Sequence, residues 1–222
     1  MEEIKHNHVE SREVKSHLNF DRDRATLLLD VVPESSSFES LRRIAEKEGL
    51  SQKAEFHTTL IGRDTGEFIV ERLSEMPPEE KDILLSRIEN LSKSLTWSHT
   101  FSSEFFLISK KYDGKDTEGV ENRKSIIQTI LLPDLEAFYS RLNNLLGTTF
   151  NIPFPHVTLF TTSTNEETKL RGIGIYSEEQ LETLNPVKIE VDRDASLKGW
   201  KGSRRVLQWL TKQARDPDCQ PI

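Results

Sequence analysis

Histidine is the side chain whose ordinary pKa lies closest to neutrality, so two of them in matched settings are the first chemistry to look for in a chain. Here His57-Thr58-Thr59-Leu60 and His156-Val157-Thr158-Leu159 both read His-x-Thr-Leu, 99 positions apart. Each lies in a run that reads as a β-strand, Ala54 to Ile61 and Phe154 to Thr161. Side chains alternate along a strand, so His57 shares a face with Thr59, and His156 with Thr158. Leu60 and Leu159 fall at the alternate positions and read as core. An imidazole takes or gives a proton near neutral pH, and the threonine two residues on sets a hydroxyl beside it. Around one substrate atom, one histidine of such a pair serves as base while the other serves as acid.

The elements that must position these motifs follow from pattern. Ala25 to Val32 is apolar and reads as a buried strand that Pro33 breaks. Ser37 is a cap for a helix from Phe38 to about Glu48, with Leu41, Ile44 and Ala45 on one face and Gly49 as its stop. Gly62 to Gly66 reads as a loop. Pro77-Pro78-Glu79-Glu80 opens a second helix to about Leu95, with Ile83, Leu84, Ile88 and Leu91 in its apolar stripe. Strand-like runs Trp97 to Lys111 and Lys124 to Leu132 flank a polar hairpin tip at 113–119. A third helix starts at Pro133-Asp134, presents Leu135, Phe138, Leu142 and Leu145, and closes at Gly147. After the second motif, Ser177 is a cap for a short helix through Leu184, and Val187 to Val191 reads as a strand. The fold class is α+β. The order strand, helix, motif strand, helix is echoed by strand, strand, helix, motif strand, which suggests two similar lobes facing a groove.

The doubled motif resembles that of the two-histidine (2H) phosphoesterase superfamily, which includes LigT-like RNA 2',3'-cyclic phosphodiesterases and 2',5'-oligonucleotide phosphodiesterases. The likeness covers Arg24 to about Asp192. It divides the chain into a poorly ordered leader (1–23), a bilobal domain (24–192) and a basic C-terminal extension (193–222). The resemblance implies two pseudo-symmetric lobes, each with an antiparallel sheet and helices, around a central groove with one motif per lobe. It implies His57 and His156 as the catalytic pair, with Thr59 and Thr158 bonding the phosphate oxygens. The implied activity is metal-independent hydrolysis of 2',3'-cyclic phosphate ends or 2',5'-linked oligonucleotides, with no cofactor. The implied partner is an RNA end, a cyclic nucleotide or a short oligonucleotide. Two alternatives stand beside it: the same chemistry directed at cyclic oligonucleotide immune signals, and a nucleotide- or RNA-end-binding module without turnover.

Composition narrows the rest. The 222 residues carry a formal charge of −7, which argues against a broad nonspecific grip on long nucleic acid. Ser196 to Arg215 nevertheless holds Lys198, Lys201, Arg204, Arg205, Lys212 and Arg215 with no acid, a local phosphate patch or a solvated basic face. No apolar run approaches bilayer length, the N-terminus lacks the apolar core of a secretory signal, and Cys219 alone makes no intrachain disulfide. A cytoplasmic monomer that engages no membrane is the expectation. His6-x-His8 lacks partners for a metal, and neither a Cys/His zinc pattern nor an acidic two-metal cluster occurs. Phe154, Tyr176 and Arg63 are outer candidates for substrate contact, with Arg123 and Arg171 as further cations. Gly172-x-Gly174 reads as a tight turn beside a strand or as backbone approaching a phosphate. Trp97, His99 and Phe101 read as one strand face, packing in the core or against a base.

Overall fold

A computed structural model describes residues 17–33, 38–113 and 120–191. Among them the chain is α+β, with eight strands in one antiparallel sheet and five α-helices. The strands are β1 (Leu18–Asp21), β2 (Thr26–Asp30), β3 (Ser51–Gln52), β4 (His57–Ile61), β5 (Thr100–Tyr112), β6 (Glu121–Leu131), β7 (His156–Ser163) and β8 (Val187–Ile189). The helices are α1 (Phe38–Glu48), α2 (Arg63–Ser74), α3 (Pro78–Lys93), α4 (Asp134–Leu146) and α5 (Glu178–Thr183). Strand order is β1-β2-β4-β7-β6-β5-β8, and β3 pairs with β7 beside β4. The two motif strands are thus central neighbours.

Alternation builds the core on one side of them. Leu27 and Leu29 of β2, Leu60 of β4, and Val157 and Leu159 of β7 are fully buried. They pack with Leu41 and Ala45 of α1, Ile88 of α3, and Phe138 and Leu142 of α4 in one cluster. Each such side chain contributes about 1.5–3 kcal/mol by leaving water. The Tyr139 hydroxyl donates to the Leu60 carbonyl at 2.9 Å, which ties α4 to the first motif strand. Gly49 and Gly147 end α1 and α4 at φ +70° and +62°, the left-handed turn a helix stop needs.

Several expectations are corrected. The hydrogen bonding joins all strands into one sheet, not two facing sheets, because β4 pairs β7 directly. Leu18–Asp21, assigned to the leader, is a strand paired antiparallel with Thr26 to Leu29 of β2. Gly62 to Gly66 is not a loop: α2 starts at Arg63, and Gly66 is buried within it. A Cβ on Gly66 would stand 2.4 Å from the Arg24 carbonyl oxygen, so the glycine lets the helix cross the β1–β2 turn closely. The first motif strand begins at His57, three residues later than Ala54, after a break that follows β3. Ile83 is exposed while Leu85 is buried, so the α3 stripe runs one position round from the sequence reading. Trp97 precedes β5 at φ +54° and packs edge-on to Phe138, with its indole N–H donating to the Ser92 carbonyl at 2.7 Å. It is core, and the aromatic wall with His99 and Phe101 does not form. The Ser177 cap holds, its hydroxyl accepting from Gln180 N–H at 3.1 Å. His6, His8, the Ser37 cap, the hairpin tip from residue 114 on, the basic run and Cys219 lie outside the described residues.

Candidate active site

β4 and β7 are antiparallel and registered at Thr58 opposite Val157. Both of those side chains are buried on the core face. Counting outward from the pair, His57 lies opposite Thr158, and Thr59 opposite His156, with all four half-buried on the other face. A local two-fold between Thr58 and Val157 therefore exchanges the motifs: His57 with His156, and Thr59 with Thr158. The histidines occupy one diagonal of this quartet and the threonines the other. Diagonal neighbours on such a ladder stand about 7–8 Å apart, so two imidazoles can reach one group held between them.

The quartet lines a cavity of about 230 Å³ with Lys53, Gly62, Arg63, Pro153, Phe154, Tyr176 and the Gly172–Ile175 backbone segment. The sequence reading named both histidines, both threonines, Phe154, Tyr176 and Arg63, and the fold brings all seven to this one cavity. His156 Nδ1 lies 2.8 Å from the Phe154 carbonyl oxygen. A carbonyl can only accept, so Nδ1 carries the hydrogen and the neutral ring presents Nε2 as its basic atom. Phe154 also stacks on the ring at 6.2 Å and 24°, so it orients His156. Burial lowers the His156 pKa, and backbone contacts to Phe154 and Ile173 offset part of that. His57 is lowered chiefly by burial and then by the nearby Lys53 ammonium, with Asp30 and Glu55 acting in the opposite sense. Each histidine is felt by its surroundings in a different way, although the motifs match.

The glycine pair is part of the wall. A Cβ on Gly172 would stand 2.7 Å from Thr158 Oγ1, so the 171–176 segment crosses the second motif at a distance only glycine allows. Thr161 Oγ1 donates to the Arg171 carbonyl at 2.9 Å and Arg123 Nη1 to the Gly172 carbonyl at 3.4 Å, which fasten the segment to the sheet. The segment carries neither regular secondary structure nor a turn, and it lines the site. Tyr176 is pushed up to about 12 by burial, with Asp64 and Tyr112 adding to the shift, so it stays a neutral phenol at any working pH.

Two cations proposed from sequence do other work. Arg123 is paired with the buried Glu121, lies over the Tyr112 ring at 4.4 Å and does not itself line the cavity. Arg171 offers its carbonyl to Thr161, while the residue is exposed and does not line the cavity. Arg63 lines the site and pairs with Glu67 at 2.8 Å, one turn on in α2. Sequence reasoning missed Lys53, which sits in the break between β3 and β4 and donates to the Leu170 carbonyl at 2.8 Å. Strand alternation could not have found it, because residues 53–56 are not strand. His99 stays apart, beside the Trp97 carbonyl and Phe101. Among the described residues, no group of three or more His, Cys, Asp or Glu side chains is arranged to hold a metal ion, and no helix is long and apolar enough to cross a membrane.

No family model, curated protein or solved structure matches this chain, so the case for its function rests on the site itself.

Proposed function

We propose that this chain is a metal-independent phosphodiesterase of the two-histidine type, acting on 2',3'-cyclic phosphate ends or 2',5'-linked oligonucleotides. The observation that carries the proposal is the quartet: two imidazoles and two hydroxyls related by a local two-fold, on one face, lining one cavity. A binding module has no need of two opposed proton-transfer groups. On this reading the sheet divides at the β4–β7 seam, with β1, β2 and β4 in one lobe and β5 to β8 in the other. Each lobe then supplies one motif.

The chemistry follows from position. His156, neutral with its hydrogen on Nδ1, takes at Nε2 the proton of the attacking water as the water oxygen bonds to phosphorus. The Phe154 and Ile173 backbone stabilises the imidazolium that results. His57, protonated from solvent, gives its proton to the departing ribose oxygen as the P–O bond breaks. The Thr59 and Thr158 hydroxyls donate to the non-bridging oxygens, where charge builds in the transition state. Lys53 and Arg63 add positive charge at the rim.

This scheme needs one histidine neutral and one charged. Both pKa values are lowered in the free protein, so the optimum of kcat/KM falls below pH 6.5, the ordinary histidine value. Above both pKa values the acid has lost its proton, and the rate falls about tenfold per pH unit. The test is hydrolysis of adenosine 2',3'-cyclic phosphate and of a 2',5'-linked diadenosine in excess chelator across pH 5–8.5. Turnover of neither substrate, or a rate that is level from pH 6 to 8, would refute the proposal.

A further inference from the structure

A second, larger cavity of about 560 Å³ adjoins the first. Gly62, Pro153 and Tyr176 line both, so the two are immediate neighbours. Their place on the ladder gives the pair a direction. Counting outward from Thr58 and Val157, Gly62 and Pro153 lie beyond the end of the quartet that holds His156 and Thr59. Lys53 lies beyond the other end, past His57.

The two cavities differ in chemistry. The first holds two imidazoles, Lys53 and Arg63. Among the described residues lining the second there is no lysine, arginine or histidine, and Asp64 adds a carboxylate. That lining repels a second phosphate. It suits an uncharged, flat group with polar edges. Phe68 of α2 and Phe150 meet edge to face at 5.1 Å there, and Phe68 is 37% exposed. Asn151 and Gln180 bring amides. The Gln180 side-chain oxygen already accepts from Tyr176 N–H at 2.6 Å, which leaves its NH2 as a donor. An aromatic face flanked by amides and a carboxylate is what a nucleobase with exocyclic amino hydrogens pairs with.

We infer that the second cavity, past the His156–Thr59 end of the quartet, binds the nucleobase of the nucleoside that keeps a bond to phosphorus. The base then fixes the direction in which a substrate lies across the quartet, which the local two-fold leaves open. The inference rests on the phosphate-site reading above and deepens it.

The test is equilibrium binding of adenosine 2'-monophosphate and of inorganic phosphate to the full chain, measured by calorimetry for wild type, Phe68→Ala and Asn151→Ala. The nucleotide is expected to bind wild type at least about tenfold tighter than inorganic phosphate, and Phe68→Ala to remove about tenfold of that advantage. Asn151→Ala, at an exposed position, removes about threefold. Thermal melts matched to wild type accompany each. Equal affinity for nucleotide and phosphate in wild type, or an advantage untouched by both folded variants, would overturn the inference. Nucleotide binding through Phe68 without hydrolysis of any diester would keep it and sink the phosphodiesterase reading. Hydrolysis with no dependence on the base would do the reverse.

Discussion

His57→Ala and His156→Ala each lower kcat/KM for adenosine 2',3'-cyclic phosphate by about a thousandfold or more. A positioned general acid or base contributes about 10²- to 10⁴-fold, and each imidazole supplies one of the two proton transfers in a single displacement. Both rings point away from the core, from the face opposite Thr58, Val157, Leu60 and Leu159. Removing either leaves the packing of β4 against β7 intact, so the thermal midpoint stays near that of wild type. Because the two act in the same step, the double variant is little slower than the worse single one. Initial rates with purified variants, read beside their melts, check this. A folded single variant that keeps wild-type turnover contradicts the assignment of its histidine.

Glu121→Gln destabilises the fold by about 3–5 kcal/mol at neutral pH, the cost of breaking a buried ion pair and stranding its partner. Glu121 is almost fully buried. One carboxylate oxygen accepts from Arg123 Nε, Ser163 Oγ and Thr168 Oγ1, and the other from Arg123 Nη2 at 3.0 Å. A glutamine amide replaces one of those acceptors with an NH2 and leaves the guanidinium without a counter-charge. The Arg123 hydrogen bonds, more than burial can oppose, hold the Glu121 pKa at about 2. That lies below the ordinary glutamate value of about 4.3, so the stabilisation is present in full above it. It fades as pH falls through about 2. Urea unfolding of wild type and Glu121→Gln should therefore differ most at pH 6–7 and converge in acid. A difference under about 1 kcal/mol at pH 7 would contradict the role given to the pair. Arg123 also donates to the Gly172 carbonyl, so the variant loosens the wall over Thr158 as well.

Local pattern carried the elements whose stability is local. The α1 span was readable because Leu41 and Ala45 repeat at helical spacing and Gly49 supplies its left-handed stop. The motif strands were readable because Leu60 and Leu159 mark their core face. What escaped depends on contacts distant in sequence. The α2 helix was hidden by Gly66, which weakens the helical pattern and is there for the sake of the Arg24 carbonyl. Strand β1 is four residues long and takes its identity from pairing with β2. The cavity needs β4 beside β7, a pairing that no local signal dictates; the matched motifs hinted at it only through what they would have to do together. Lys53 was hidden by the break between β3 and β4, across which strand alternation does not carry to His57. Arg123 had a usable local clue, since Glu121 lies two residues away on the same face of β6 and takes up its charge.

The most direct test of the central claim, that both imidazoles serve one phosphorus, is an NMR titration of the labelled histidine side chains with inorganic phosphate. The account predicts that His57 and His156 shift together, with one shared dissociation constant, and that the pKa of each rises as the anion binds. Shifts confined to one histidine, or two shifts that saturate at different phosphate concentrations, would contradict it.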